Sequence, residues 1–283
     1  MTDTTITSTF YKKIASACRK KEALFDENLG RYALRSMFAG AYLTMSTAVG
    51  VVAADVISQF SLAFGRFAFA FIFSFGLVYV LLFNGELATS NMMFLSSGAY
   101  YKHISFKKAI TILLTCTFFN LIGAIILAWL FNQSFSFAQL THKSFLVNAV
   151  QTKLAKSDWQ NFFEGITANM FVNIAILGYM LLKEESAKIT IALSAIFMFV
   201  FLINEHLIAN FASFMLAAFS SVEHIKGLEF FNVIRQWIIV FFGNWIGGGI
   251  FIGLAYAWLI GLIRLKRRIK NNNLLNKPVG IIT

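Results

Sequence analysis

Charged residues are scarce. Asp, Glu, Lys and Arg make up 13% of the 283 residues, against about a quarter in a soluble globular domain. Hydrophobic residues reach 58%, and the mean hydropathy is +0.70. That surplus excludes a water-soluble globular domain and leaves a polytopic membrane protein whose excess apolar surface faces lipid. Cysteine is nearly absent: Cys18 lies in the polar N-terminal segment and Cys116 inside an apolar run, which excludes a disulfide framework. The first 35 residues are polar and basic and lack an apolar h-region, so no cleavable signal peptide is expected. Histidine is scarce too. His103, His142 and His224 fall between the apolar runs, which leaves His206 as the only one inside a run. A catalytic zinc needs about three protein ligands, commonly with H-E-x-x-H spacing, and there is no second membrane histidine. There is also no G-x-S-x-G nucleophile. An intramembrane enzyme is thereby disfavoured, and neither metal nor cofactor is expected.

What is present is a set of long apolar runs, at 36–58, 67–96, 109–131, 162–182, 189–219 and 232–263. Each is long enough to cross about 30 Å of hydrocarbon, so an all-α membrane protein with six transmembrane helices is expected. Seven Lys and Arg lie in 1–35, three follow the second run, two follow the fourth and six lie in the tail. The other six of the 24 are Arg66, Lys143, Lys153, Lys156, Lys226 and Arg235. The bias puts both termini in the cytoplasm, and the net charge of +11 reports this topology rather than nucleic-acid binding. The expected division is a cytoplasmic N-terminal segment 1–35, one transmembrane domain 36–263 and a cytoplasmic basic tail 264–283. The stretch "FYKKIASACRKKEALF" (10–25) reads as a solvated or interfacial helix on the inner leaflet.

The second and fifth runs each carry a polar interruption, "NGELATSN" (84–91) and "NEHLIAN" (204–210). In both, an Asn stands five residues after the Glu (Glu86 and Asn91, Glu205 and Asn210), and an Asn precedes the Glu by one or two positions (Asn84, Asn204). The following runs match as well: "NLIGA" starts at Asn120 and "NWIGG" at Asn244. More weakly, "FAG" (38–40) parallels "FEG" (163–165). Residues 36–131 and 162–263 thus read as two copies of one three-span unit. An odd number of spans inserts the second copy upside down, and such inverted repeats bind substrate near the midplane at broken helices. Irregular backbone at that depth persists only inside protein or along a polar cavity, and ionisable residues there are functional candidates. Glu86 and Glu205 are expected to accept backbone N–H bonds and pin the breaks. Asn91, Asn210, Asn120 and Asn244 are expected to close other hydrogen bonds there. Gly247, Gly248 and Gly249 suit close helix packing.

With "NGELATSN" (84–91), "EHLIAN" (205–210), "GNWIGGGIFIGLAY" (243–256), "FSFGL" (73–77) and "GITAN" (165–169) in this order, the sequence resembles the formate–nitrite transporter family of bacterial small-anion channels, from about residue 30 to 263. The resemblance implies an aquaporin-like fold and a homopentamer in the bacterial cytoplasmic membrane, each protomer with its own pore. His206 matches the central pore histidine and Thr89 the loop threonine beside it. Phe73, Leu77 and Phe199 fall on the outer constriction, Val172 on the inner slit with Asn169 near it, and Lys156 on the outer-vestibule lysine. Two departures are Ala88, where many members carry Phe, and Asn204, where many carry an aromatic residue. A wider, more polar inner slit follows.

The expected function is passage of a small monovalent weak-acid anion, formate or nitrite, protonated near His206 either by the histidine or by water. Hydrosulfide, acetate or lactate are alternatives within the family, and a non-transporting membrane scaffold is the alternative outside it.

Overall fold

In lipid, an apolar run must satisfy its backbone hydrogen bonds internally, and every regular element among the described residues is helical. The computed structural model describes residues 3–260, with side chains from residue 9 onward. The tail 264–283 lies outside the described residues. The elements are α1 (Asp3–Glu27), α2 (Leu29–Ser58), α3 (Leu62–Leu82), α4 (Ala88–Tyr100), α5 (Phe106–Asn132), the short α6 (Phe135–Ala138), α7 (Phe145–Ala155), α8 (Asp158–Leu181), α9 (Glu185–Phe201), α10 (Leu207–Ala218) and α11 (Phe230–Asn244). From α11 the helix widens into a π-helical stretch, Trp245–Leu254, and continues as α-helix to residue 260.

Several starts are written in the sequence. Asn28 caps α2 by accepting the Arg31 N–H, and Ser105 caps α5 by accepting the Lys108 N–H. Ser157 and Gln160 form a reciprocal capping box on α8. Among the described residues, five helices are long and apolar enough to cross a membrane: α2, α3, α5, α8 and Phe230–Ile260. The apolar runs 67–96 and 189–219 are each divided into two helices, α3 with α4 and α9 with α10. Large apolar side chains on the outside remain exposed, among them Phe60, Phe64, Phe118 and Trp129, as expected where the surrounding solvent is lipid.

Packing pairs off. α2 lies against α3 and α5, as α8 lies against α9 and α11; α3 meets α9. The short α4 packs on the π-helical stretch and the short α10 on α5. The closest approaches are made at glycine. A Cβ on Gly123 would sit 1.9 Å from the Met37 carbonyl, and one on Gly247 would sit 2.0 Å from that of Ile166, so both positions require glycine.

α1 turns one face into the bundle. Phe10, Ile14 and Cys18 repeat every four residues and are buried. They belong to the main core cluster, and α1 packs on α2, α4 and α5. α1 therefore closes one end of the bundle. α7 sits at the other end of α2, where the Phe145 N–H donates to Asp55. A 30-residue helix such as α2 spans about 45 Å, so α1 and α7 define two opposite faces, called here the near and far faces.

Candidate functional site at two helix breaks

The two breaks are built alike. α3 ends with Asn84 in the left-handed region (φ 54°) while the Gly85 N–H reaches back to Val80 O (2.8 Å). α9 ends with Ile203 in the same region (φ 60°) while the Asn204 N–H reaches back to Phe199 O (3.1 Å). Both are Schellman terminations. Asn84 therefore corresponds to Ile203 and Gly85 to Asn204, the register that follows from pairing Glu86 with Glu205 and Asn91 with Asn210.

Beyond each break a buried asparagine closes the gap. The Ala88 N–H donates to Asn120 Oδ1 (2.9 Å), while Asn120 Nδ2 donates to the Ser36 and Glu86 carbonyls (2.7 and 2.8 Å). The Leu207 N–H donates to Asn244 Oδ1 (2.9 Å), while Asn244 Nδ2 donates to the Gly165 and Glu205 carbonyls (2.8 and 3.0 Å). Ser36 thus corresponds to Gly165, which moves the "FAG"/"FEG" parallel by four residues.

The glutamates do not accept backbone N–H bonds, contrary to expectation, because these asparagine oxygens already hold the exposed backbone donors. Glu86 instead accepts from Lys21 of α1 (2.5 Å) and from Asn91 (3.1 Å). Glu205, fully buried, accepts from Lys153 (2.9 Å), Lys156 (2.7 Å), Asn210 (2.7 Å) and Gln236 (3.1 Å). A buried carboxylate is tolerable only with such pairing. Lys156 is further tied to Glu164 and to the Ile203 carbonyl. Two lysines and two carboxylates leave this cluster with no net charge. Burial disfavours the Lys156 ammonium, but Glu205 and Glu164 outweigh it and raise its pKa; burial, opposed by Glu205, lowers that of Lys153.

Between the breaks stands His206, 2% exposed. It caps α10: the Ala209 N–H donates to Nδ1 (3.2 Å). Nδ1 is therefore the acceptor, so in the neutral ring Nε2 carries the hydrogen and donates to Thr89 Oγ1 (2.9 Å) in the first turn of α4. On the far side of the imidazole lie Phe199 (ring centroids 5.7 Å apart) and then Phe73, edge-on to Phe199 at 6.3 Å. Leu77, one turn along α3, is buried with them. On the near side, Asn169 and Asn173 of α8 donate to the Thr89 carbonyl (3.1 and 3.3 Å). Val172 and Ala88 are buried beside them. Above the phenylalanines a cavity of about 350 Å³ opens on the far face, lined by residues that include Lys153, Arg66, Asn204 and Ser213.

Sequence reasoning missed Lys153, Lys21, Asn173 and Gln236. A signal existed for the lysines. Lys21 lies along the stripe of Phe10, Ile14 and Cys18. Lys153 sits beside the buried Leu146, Val147, Val150 and Leu154, a helical face in a segment between the apolar runs 109–131 and 162–182.

The Formate/nitrite transporter family model matches residues 8–258. The chain belongs to the formate/nitrite transporter family. It is similar to the uncharacterized transporter YwcJ of Bacillus subtilis, 29% identical over 252 residues, covering 88% of this chain and 96% of that one. It is also similar to the formate channel BtFdhC of Bacillus thuringiensis, 30% identical over 185 residues (65% and 70%). The nitrite transporter NirC of Escherichia coli is 27% identical over 253 residues (88% and 91%). Among solved structures, an FNT family ion channel superposes with a TM-score of 0.82 at 23% identity, covering 88% of this chain and 97% of that one. A pentameric formate channel with formate bound gives 0.69 at 26% identity, covering 82% and 97%. The chain is accordingly an all-helical membrane protein of a transporter family, not an enzyme.

Proposed function

We propose that the chain is a homopentameric channel for small monovalent weak-acid anions, formate or nitrite, in the bacterial cytoplasmic membrane. Both termini lie in the cytoplasm and the far face lies outside. Residues 36–263 form one six-span, aquaporin-like domain of two inverted three-span units, with α3/α4 and α9/α10 as the broken second and fifth spans. Segment 1–35 and tail 264–283 lie on the cytoplasmic side. The matched terminations and the matched asparagine bonds at Asn120 and Asn244 support the repeat.

One observation carries the transport reading: a buried imidazole, on the axis between two helix breaks, reaches across to the opposite break through Thr89. A bare anion in a narrow apolar passage faces a desolvation cost of tens of kcal/mol by Born solvation. A neutral acid does not. The anion is collected in the far-face cavity. Its own pKa rises as water is left behind, and it takes a proton from solvent. It then passes Phe73, Leu77 and Phe199 as the neutral acid. His206 keeps its hydrogen on Nε2, because protonating Nδ1 would expel the Ala209 N–H that caps α10. Thr89 accepts that hydrogen, which leaves its own hydroxyl hydrogen free for the permeant. Asn169, Val172 and Ala88 form the exit slit, and the small Ala88 widens it. Lys153 and Lys156 hold Glu205, as Lys21 holds Glu86, so neither carboxylate presents a bare charge to an anion.

The test is flux into vesicles holding an internal pH dye. Inward gradients of formate, nitrite, hydrosulfide and acetate are applied in turn. Formate or nitrite is expected to acidify the lumen faster than in protein-free vesicles, because each neutral acid releases its proton inside. Hydrosulfide or acetate as the fastest anion would reassign the substrate. Rates equal to protein-free vesicles for all four would leave the scaffold reading.

A further inference from the structure

The polar groups around the far-face cavity are almost all engaged. Thr47 donates to Leu43 O, Thr152 to Asn148 O, and Ser213 to Ala209 O. The Asn148 amide is spent on the Lys143 and Ser144 carbonyls, and that of Asn204 on Thr167. Lys153 is bound to Glu205 inside a cluster with no net charge. Among the described residues, none that lines this cavity is acidic. One charged group remains. Arg66, in the second turn of α3, is exposed and lines the cavity. Among the described residues no carboxylate lies within ion-pair distance of it.

Resting on the transport reading above, we propose that Arg66 is the capture residue of the outer mouth and that it selects planar two-oxygen anions. A guanidinium presents a rigid fork of donors that matches a carboxylate or nitrite with two parallel bonds, whereas an anion with one acceptor atom, such as hydrosulfide, receives at most a point-charge attraction. The group is always charged, and unlike Lys153 it is not committed to a carboxylate among the described residues. An unpaired cation above an apolar constriction also raises the local anion concentration. Arg66 thereby acts on the charged anion before protonation, and the phenylalanines act on the neutral acid after it. The two filters are separate residues with separate chemistries.

The experiment measures half-saturating concentrations of formate, nitrite and hydrosulfide for the full-length protein in vesicles, with Arg66→Ala and Arg66→Lys. Arg66→Ala is expected to raise the formate and nitrite values roughly 3- to 10-fold, the effect of losing a charge-assisted pair at an exposed site. The maximal rate stays within about twofold, the hydrosulfide value rises by less than about twofold, as the loss of a point charge alone requires, and Arg66→Lys falls between. Unchanged formate and nitrite values would overturn the proposal, as would an equal rise for all three anions, which points to general positive potential. A lower maximal rate and lower melting temperature in lipid, with unchanged half-saturation, would also overturn it and make Arg66 an anchor on lipid headgroups. A formate-dependent rise in melting temperature, present in the wild type and lost in Arg66→Ala, reads the same capture without flux. It keeps this proposal distinguishable from failure of the transport reading.

Discussion

Replacing His206 with asparagine separates a hydrogen-bond donor from an acid. His206 Nδ1 accepts the Ala209 N–H and Nε2 bonds to Thr89. Asparagine is also a strong N-cap, so α10 keeps its start and the break survives. What is lost is the bond to Thr89, with a net contribution of about 1 kcal/mol, or roughly fivefold in a rate. An obligatory proton donor would contribute about 10²- to 10⁴-fold. The two magnitudes do not overlap. Formate flux through the His206→Asn protein is therefore expected to stay within about tenfold of the wild type, with the same dependence on external pH, because the proton comes from solvent. Stopped-flow acidification of vesicles at several external pH values reads both quantities. Flux at the protein-free level with assembly intact would refute this reasoning and make the imidazole the acid. His206→Ala removes the cap as well and is expected to lower stability by about 1 kcal/mol more.

Asn244→Ala removes the acceptor for the Leu207 N–H and the donor to two carbonyls. At about 1–3 kcal/mol for each buried group left unmade, a loss of several kcal/mol and a fall in melting temperature are expected, with Asn120→Ala close behind. Ile203 carries a β-branched side chain at φ 60°, where an L-residue costs roughly 1–2 kcal/mol. Ile203→Asn is expected to raise the melting temperature, and a fall would mean that the lost apolar contacts outweigh the relieved backbone.

The placement of the breaks was legible because a titratable group and a carboxylate inside an apolar run need a polar reason to be there. "NGELATSN" and "EHLIAN" therefore locate α3/α4 and α9/α10 without any tertiary information. The register inside them was legible as well, because Glu86 with Glu205 and Asn91 with Asn210 are the same distance apart and pair Asn84 with Ile203. That Ile203 would stand in the left-handed region was not legible, because such a termination is set by chain geometry and tolerates a costly residue where packing requires it. The roles of the glutamates and asparagines were not legible either. Either side chain could satisfy a backbone donor, and only their positions in space decide which one does.

Hydropathy and charge scarcity alone determined an all-helical membrane chain, since lipid leaves the backbone no other partner. Capping residues alone marked several helix starts, and the repeated motifs put His206 at the centre. The tertiary structure decided which charges meet. Lys153 and Lys156 are three residues apart in sequence, and both reach Glu205, yet only Lys153 lines the cavity. Lys21, which composition assigns to a solvated segment, is carried by α1 onto Glu86, 65 residues away. Among the described residues, Arg66 is left without a carboxylate partner in the same way. Hydrophobicity is a property of a segment and can be read along the chain; an ion pair belongs to two points in space, and only folding brings them together.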